Sequence, residues 1–237
     1  RRARSGSVGG TDAPDDESGD AHNSTGNLAE LCRERGVQFG YEHSIEALDI
    51  EADAVIGAWV RDPEGRRELV KADAFVVALG SYSPFLLSAA GINVPVYPVK
   101  GYSVTVALTH PEAAPVMCLS DENAKVAISR LGNRLRAAGT AELTGYDTSL
   151  NDARCNAILS RIEQLFPGVG DYAGAARWAG LRPATPSNVP LIGTTRYRNL
   201  FLNTGHGTLG WTLACGSAQA LAHLLGGRRP QVQFPFL

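Results

Sequence analysis

The sequence of 237 residues has few cysteines, no long apolar run and almost no net charge, and each absence excludes a class of protein. The four cysteines lie far apart, and no two have the C-x-x-C spacing of a zinc site or a redox motif. No run of about 18 apolar residues is present, so no membrane-spanning helix is predicted. The formal net charge of -2 does not provide the basic surface of a nucleic-acid-binding protein. We therefore expect a reduced, cytoplasmic, globular protein.

Several motifs of common sites are also missing. There is no G-x-S-x-G nucleophile motif. The acidic residues between Asp15 and Asp20 do not have EF-hand spacing, so no metal site is predicted. Val8-Gly9-Gly10 has neither a strand before it nor a helix after it, so it is not a dinucleotide-binding G-x-G-x-x-G turn. The chain begins with Arg1 rather than methionine, which indicates a fragment or a processed chain.

Hydrophobic periodicity predicts a mixed α/β protein. Hydrophobic residues make up 44% of the chain and charged residues 19%, which is enough to bury a sizeable core. Apolar spacing predicts helices over residues 23–35, 84–91, 151–166 and 211–225. Strand patterns cover residues 37–39, 48–59, 68–71, 74–80, 94–108, 126–129, 135–138 and 200–203. The antiparallel character of residues 94–175 indicates a separate α+β region.

The strongest candidate for a ligand site is the sequence from Asn203 to Thr212. Three glycines, Gly205, Gly207 and Gly210, lie here between a predicted strand and a predicted helix. Glycine lets the backbone approach a ligand closely, and the free N–H groups of a helix N-terminus favour an anionic or electron-rich acceptor. A tight loop that only caps the helix is the alternative. His206 between two of the glycines is either a base or a residue that hydrogen-bonds within the loop.

A second candidate is the arginine segment, residues 180–193, in which Arg182 stands on a stretch stiffened by three prolines. A fixed guanidinium can bind a carboxylate through two hydrogen bonds, although a structural or surface arginine is the more common role of a single arginine. Ala78-Leu79-Gly80 is either a turn beside a cofactor or the end of a strand. Lys100 and Tyr102 either line a substrate pocket or begin a strand with a solvated lysine.

These segments, in this order, resemble the D-amino-acid dehydrogenase family, which belongs to a wider group with D-amino-acid oxidase, glycine oxidase and sarcosine oxidase. The most specific stretch is LNTGHGTLGWTLACGS at residues 202–217, and VYPVKGYS and GLRPATP sharpen the resemblance toward the dehydrogenases. The matching stretches are residues 15–39, 71–83, 96–104, 180–193 and 202–217.

The resemblance implies an FAD-binding Rossmann-like domain interleaved with an antiparallel-sheet substrate domain. Residues 1–20 would be a lead-in from the substrate domain. Residues 21–93 and 176–237 would belong to the FAD-binding domain, and residues 94–175 would form the substrate domain. Family members begin with a strand and a G-x-G-x-x-G turn that hold the FAD pyrophosphate. Because that motif is missing here, we expect the chain to be the C-terminal half or more of such an enzyme.

The resemblance also implies roles for individual residues. The glycine bend, which we define as residues 205–210, would contact the flavin. Ala78, Leu79 and Gly80 would lie near the adenosine and phosphate portion of FAD, and Ile45 would contact the adenine through its backbone. Arg182 would bind the substrate carboxylate, and Tyr102 is a further candidate on the substrate side. By this resemblance, the cofactor-binding residues of the bend would be Gly205, His206, Gly207, Thr208, Leu209 and Gly210.

The implied reaction is FAD-dependent oxidative deamination of a D-amino acid to a 2-oxo acid and ammonia. Its electrons would pass to a respiratory acceptor such as a quinone, which adds peripheral association with the inner face of the membrane to the expectation of a cytoplasmic protein. Two alternatives stay open. One is an amine oxidase similar to glycine or sarcosine oxidase, and the other is a non-catalytic remnant that binds no flavin.

Overall fold

The structure is a computed structural model, and it describes residues 18–232. Its α-helices are α1 (Ala21–Glu34), α2 (Ser83–Ala89), α3 (Asp152–Leu165) and α4 (Gly210–Leu225). Its strands are β1 (Ser44–Glu51), β2 (Ala54–Arg61), β3 (Arg67–Val70), β4 (Phe75–Val77), β5 (Tyr97–Leu108), β6 (Leu119–Asp121), β7 (Val126–Leu131), β8 (Arg134–Glu142), β9 (Gly170–Ala184), β10 (Leu191–Thr194) and β11 (Leu200–Thr204). Most of the predicted lead-in and the Val8–Gly10 segment lie outside the described residues.

The described chain divides into two compact units. Unit 1 contains residues 18–32 and 100–181, and unit 2 contains residues 33–99 and 182–232. The boundaries between the two units lie inside three elements, namely α1, β5 and β9. The predicted assignment of one part to the cofactor and another to the substrate stays a prediction. In residues 18–232, no helix has the length and hydropathy that crossing a bilayer requires.

Unit 1 is a five-stranded sheet packed against one helix. The strand order is β6-β7-β8-β5-β9, and the β6–β7, β7–β8 and β5–β8 pairs are antiparallel. Helix α3 begins after Asn151, whose side chain accepts a hydrogen bond from the Arg154 amide. Its apolar face buries Ile158 and Ile162 against residues of the sheet such as Leu135. The predicted strands over residues 126–129 and 135–138 and the predicted helix over residues 151–166 are therefore confirmed.

Unit 2 contains two three-stranded sheets. The first has the order β1-β2-β3 and is antiparallel, and the second has the order β10-β11-β4. One face of the second sheet buries Val77 and Leu202 with Leu87 of α2. The other face packs Phe201 against Leu221 of α4. Helices on both faces of a sheet that contains a parallel pair are typical of α/β proteins, which confirms the predicted mixed class.

Two strand predictions are wrong. Residues 37–39 form no strand, because the Phe39 ring instead stacks on Tyr41, with ring centroids 5.9 Å apart, and Arg33 at the end of α1 lies 4.9 Å above the Phe39 ring. The predicted strand over residues 48–59 is two antiparallel strands, β1 and β2. The chain reverses at Ala52, a non-glycine residue with a positive φ, so no Gly or Asn-Gly signal marks this turn.

Candidate functional site

Two parallel strands in unit 2 bring together segments that are far apart in the sequence. Strand β11 runs parallel to β4, with Leu202 opposite Val77. Each strand is followed by a glycine in the left-handed region, Gly80 (φ +55°) after β4 and Gly205 (φ +79°) after β11. The carboxyl ends of parallel strands lie at one edge of a sheet, which is where α/β proteins bind ligands. Two of the predicted cofactor segments therefore meet at this edge.

A buried pair of hydroxyl groups joins the two bends. The Ser83 and Thr204 hydroxyl oxygens are 2.8 Å apart, and Thr204 also donates a hydrogen bond to the carbonyl oxygen of Gly80 at 3.1 Å. Because Thr204 donates its proton to that carbonyl, the Ser83 hydroxyl donates to Thr204. Both residues are buried, so water does not compete for these bonds. The bends after β4 and β11 are thus held in a fixed relation.

We expect Thr204→Val to lower the free energy of unfolding by about 1–3 kcal/mol, because it removes the partner of the buried Ser83 hydroxyl. It also removes one of two hydrogen bonds to the Gly80 carbonyl oxygen, which keeps the bond from the Ser83 amide. Urea denaturation followed by circular dichroism measures this loss. Thr194→Val, at an exposed position of β10, is the matched control and should change little. Adding Ser83→Ala to Thr204→Val should restore part of the lost stability. Equal stability of wild type and Thr204→Val would show that the hydroxyl pair does not stabilise the bends.

The third predicted segment also reaches these bends, through Pro183. The Gly207 amide donates a hydrogen bond to the Pro183 carbonyl oxygen at 2.9 Å. A side chain added at Gly80 would place its Cβ 3.8 Å from the Pro183 Cγ atom. The structure therefore brings residues 78–80, the arginine segment from Arg182 onward and the glycine bend into one place in unit 2. Arg182 directly precedes the proline that joins them.

Arg182 lies near the C-terminal end of β9 and is half-buried. Burial lowers the pKa of its guanidinium. Arginine nevertheless stays protonated in proteins at neutral pH, so the position carries a partly desolvated positive charge. A partly desolvated guanidinium binds an incoming carboxylate more strongly than one in bulk water, because the local dielectric constant is lower. This environment suits the predicted role in binding a substrate carboxylate.

The glycine bend leads directly into α4, and there is free space beside its backbone at Gly207. Gly207 has a φ of +54°, and a Cβ atom built on it would meet nothing within 4 Å. Leu209 precedes the first residue of α4 and makes no side-chain cap, and the first turn contains no acidic residue. The first backbone N–H groups of a helix have no partners within the helix. Groups of this kind favour negative charge or an electron-rich ring.

Apolar side chains among the predicted cofactor-binding residues are more exposed than those of a protein core. Leu79 is 37% exposed, Leu209 is 49% exposed, and Ile45 on β1 is 46% exposed. Ala78 and Thr208 are exposed as well. A flat, largely apolar ligand covers surface of this kind. Contact of these residues with a cofactor stays a prediction, because exposure alone does not identify the ligand.

Tyr102 and Lys100 belong to unit 1, where both are buried. The Tyr102 hydroxyl donates a hydrogen bond to a Glu142 carboxylate oxygen at 2.5 Å. The Lys100 amine is 2.9 Å from an Asp147 carboxylate oxygen and 3.0 Å from the Ser149 carbonyl oxygen. Lys100 is therefore not solvated, and the Tyr102 hydroxyl has an internal partner. Contact of Tyr102 with a substrate remains a prediction that this geometry does not support.

The contacts among Lys100, Asp147 and Ser149 predict how the stability of the protein depends on pH. Hydrogen bonds from Ser149 and Lys100 lower the Asp147 pKa from 3.8 to about 2. A carboxylate whose pKa is lowered by folding stabilises the protein above its ordinary pKa, and this stability is lost as pH falls toward the folded value. Asp147→Asn should therefore lower the Tm at neutral pH, and the difference from wild type should vanish near pH 2.

Thermal unfolding followed by circular dichroism over this pH range tests the prediction. Glu122→Gln is the control, because Glu122 and Lys125 form an exposed ion pair that contributes little to stability. A difference between Asp147→Asn and wild type that is the same at every pH would contradict the assigned cause.

Sequence reasoning missed the residues that connect the predicted segments. Thr204 and Pro183 lie within candidate segments but had no predicted connecting role, and Ser83 was not a candidate site residue, yet each joins two of the segments. A weak signal was present, since Thr204 directly precedes Gly205 and Ser83 follows Gly80 by three residues. Small hydroxyl residues next to such glycines are plausible partners for backbone groups, but sequence spacing does not reveal which of them pair.

Comparison with known proteins gives three findings. The family described as FAD dependent oxidoreductase (DAO) matches residues 1–224. A D-amino acid dehydrogenase from Dechloromonas aromatica (strain RCB) is 54% identical over 230 residues, which are 97% of this chain and 55% of the relative. The crystal structure of glycine oxidase from Bacillus cereus is 26% identical with a TM-score of 0.66, covering 79% of this chain and 51% of that one.

The crystal structure of L-proline dehydrogenase from P. horikoshii is more distant in sequence. The match covers 90% of this chain and 57% of the dehydrogenase chain, with a TM-score of 0.75. At 16% identity this similarity shows a shared fold and nothing more. The chain spans about half the length of the curated relative it matches, 55% in the case of the Dechloromonas protein. That share agrees with the expectation of a partial chain.

Proposed function

Because the chain belongs to the family of FAD-dependent oxidoreductases, we propose that its glycine bend binds the flavin of FAD. We also propose that the protein oxidatively deaminates D-amino acids to 2-oxo acids and ammonia. The family membership confirms the resemblance predicted from the glycine and arginine motifs. The activity is inferred for the protein of which this chain is about half, as judged by its relatives.

One observation supports the proposal above all others, namely the meeting of three sequence-distant segments around Pro183. The Gly207 amide is bonded to its carbonyl oxygen, Gly80 lies against its ring, and Arg182 precedes it. An open glycine backbone, a helix N-terminus without acidic residues and a half-buried guanidinium thus share one region. These residues fit FAD, since a flavin needs close backbone approach and donors for its electron-rich N1/C2=O side.

The proposed chemistry divides between cofactor and protein. When bound, FAD supplies the acceptor for the hydride that leaves the α-carbon of the substrate. Arg182 holds the substrate carboxylate and so fixes the orientation of the α-carbon. The N–H groups at the start of α4 favour negative charge beside the glycine bend as reduction proceeds. No side-chain base is required if the substrate amine enters in its neutral form.

Gly207→Ala tests flavin binding with little damage to the fold. A Cβ at this position meets no protein atom within 4 Å, so the only cost to folding is its positive φ, about 1–2 kcal/mol. A flavin lying on the bend would collide with the added methyl group. We therefore expect the affinity for FAD to fall at least about tenfold, which corresponds to about 1.4 kcal/mol. Titration with FAD, followed by quenching of flavin fluorescence, measures the affinity.

Gly132→Ala is the matched control for this experiment. Gly132 has a φ of +61° in the β7–β8 turn of unit 1, and its Cβ would also meet nothing within 4 Å. The two variants should lose similar stability, but only Gly207→Ala should lose flavin affinity. Wild-type protein that shows neither bound flavin after purification nor binding of added FAD would overturn the proposal, and unchanged affinity in Gly207→Ala would remove the flavin from this bend.

D-Amino acids are the proposed substrates because the relative at 54% identity is named a D-amino acid dehydrogenase. A second candidate, oxidation of glycine or sarcosine, is favoured by the similarity to a glycine oxidase structure at 26% identity. Comparing turnover of D-alanine, glycine and sarcosine separates the two. Predominant turnover of D-alanine supports the first, and predominant turnover of glycine or sarcosine supports the second.

The electron acceptor is a further part of the proposal. We propose a respiratory quinone rather than oxygen, with the protein acting at the inner face of the membrane. The support is the name of the relative, since a dehydrogenase passes its electrons to an acceptor other than oxygen. Rates with a soluble quinone under nitrogen and with oxygen alone decide between the acceptors. A faster reaction with oxygen would contradict the quinone.

A further inference from the structure

A second set of contacts fastens the glycine bend to the body of α4. The side chain of His206, inside the bend, reaches α4, and its Nε2 atom lies 3.0 Å from the Ser217 hydroxyl oxygen. Ser217 is 4% exposed and stands seven positions after the first residue of the helix. A loop residue is therefore tied to a buried point well inside the helix.

The His206 backbone takes part in the same arrangement. Its carbonyl oxygen accepts a hydrogen bond from the Leu209 amide at 3.0 Å. His206 also packs closely against Gly210, the first residue of α4, because a Cβ added at Gly210 would lie 3.4 Å from the His206 Cβ. His206 thus connects to the helix start through its main chain and to the helix body through its ring.

The environment of His206 favours the uncharged ring. Burial lowers the pKa of His206, so the imidazole is neutral at neutral pH. A neutral imidazole has one donor nitrogen and one acceptor nitrogen, and the serine hydroxyl can pair with either kind. A hydrogen bond with a buried partner holds a side chain in place without adding charge beside the bend.

We propose that His206 and Ser217 are positioning residues, whose mutual hydrogen bond holds residues 207–209 in the conformation that receives the flavin. This inference rests on the proposed function and extends it to a residue that lies outside the bend. Gly205 and Gly207 give the bend its conformational freedom, and freedom in the free protein weakens binding because it must be lost in the complex. The His206–Ser217 bond removes part of that freedom before the ligand arrives.

The test combines a double-mutant cycle with hydrogen exchange. FAD affinity is measured for wild type, His206→Ala, Ser217→Ala and the double variant. Each single variant should weaken binding about 3- to 10-fold, as expected for loss of one hydrogen bond. The double variant should bind no more weakly than the weaker single variant, because the two residues act through one bond. Cys215→Ala, at an exposed position of the same helix, should bind as wild type does.

Hydrogen exchange without FAD separates positioning from general stability. In Ser217→Ala, the amides of residues 207–209 should exchange faster, whereas those of residues 218–225 in α4 should not change. Faster exchange along all of α4, wild-type affinity in both single variants, or additive losses in the double variant would each overturn the inference. Failure of the wild type to bind FAD would instead overturn the proposed function, while the exchange data would still report whether His206 and Ser217 fix the bend.

Discussion

Gly205→Ala is expected to destabilise unit 2 by about 2–5 kcal/mol and to abolish flavin binding, because the added methyl group is penalised in two ways. The φ of Gly205 is +79°, where residues with a Cβ are strained. The Cβ would also lie 2.8 Å from the Thr185 Cγ2 atom. Thr185 is buried and donates its hydroxyl hydrogen to the Val189 carbonyl oxygen at 2.9 Å, so it cannot move aside without breaking that bond.

The midpoint of urea denaturation measures the loss, and Gly65→Ala is the matched control. Gly65 has a φ of +84° in the β2–β3 turn, and a Cβ there would meet nothing within 4 Å. Gly65→Ala should therefore cost only the backbone strain, about 1–2 kcal/mol. The difference between the two variants isolates the steric contact with Thr185. Equal losses in both would mean that the bend can shift by enough to accept a side chain.

Arg182→Ala is expected to raise the KM for a D-amino acid about 10- to 150-fold, which is the effect of losing a charge-assisted contact of about 1.5–3 kcal/mol. The guanidinium is half-buried, so its removal also takes away the positive charge that attracts a carboxylate into a partly desolvated place. Steady-state kinetics with D-alanine and an artificial electron acceptor measure the change. The effect should fall mainly on KM if Arg182 binds substrate and transition state equally.

Two controls make this experiment specific for the carboxylate. Arg182→Lys retains the charge without the planar fork, so it should restore only part of the affinity. In wild type, D-alaninamide should bind far more weakly than D-alanine, because it lacks the carboxylate. In Arg182→Ala this preference should disappear, since the partner of the carboxylate is gone. A variant that keeps both its KM and its preference for the acid would place Arg182 outside the site.

The candidate site exists only in the folded chain, because hydrogen bonds between distant residues hold its segments together. The hydroxyl pair of Ser83 and Thr204 spans 121 positions in the sequence. Pro183 links the glycine bend to the arginine segment through one backbone hydrogen bond. The two hydroxyl groups and the Pro183 carbonyl oxygen each form a hydrogen bond with a loop, and each bond also fixes that loop in place. Variants at these positions should therefore change stability and flavin affinity together.

Some elements follow from local sequence alone. The helices α1, α3 and α4 agree with the predicted ranges to within two residues, because 3.6-residue periodicity and end signals are local. Gly36, two residues after the end of α1, has a positive φ, which is typical of a glycine that follows a helix. The glycine bend was also predictable, since three glycines between a strand and a helix indicate a tight turn of the backbone.

Other elements could not be predicted because their cause is not local. Strand β9 runs over residues 170–184 and was missed, since its mixture of small, polar and proline residues has no clear alternation. Lys100 was expected to be either solvated or in a pocket, but it is buried against Asp147, which lies 47 positions away. A buried charge of this kind depends on a partner that only the folded chain supplies.

The sequence by itself determined which residue types stand at the candidate site and which segments carry them. Glycines with positive φ, a guanidinium and a helix start are features of single segments, and local pattern is enough to find them. Only the tertiary structure decided that these segments meet, because the pairing of β4 with β11 and the contact of Pro183 with Gly80 join residues more than a hundred positions apart. Interactions of that range leave no periodic trace in a single sequence, so their partners become visible only after the chain has folded.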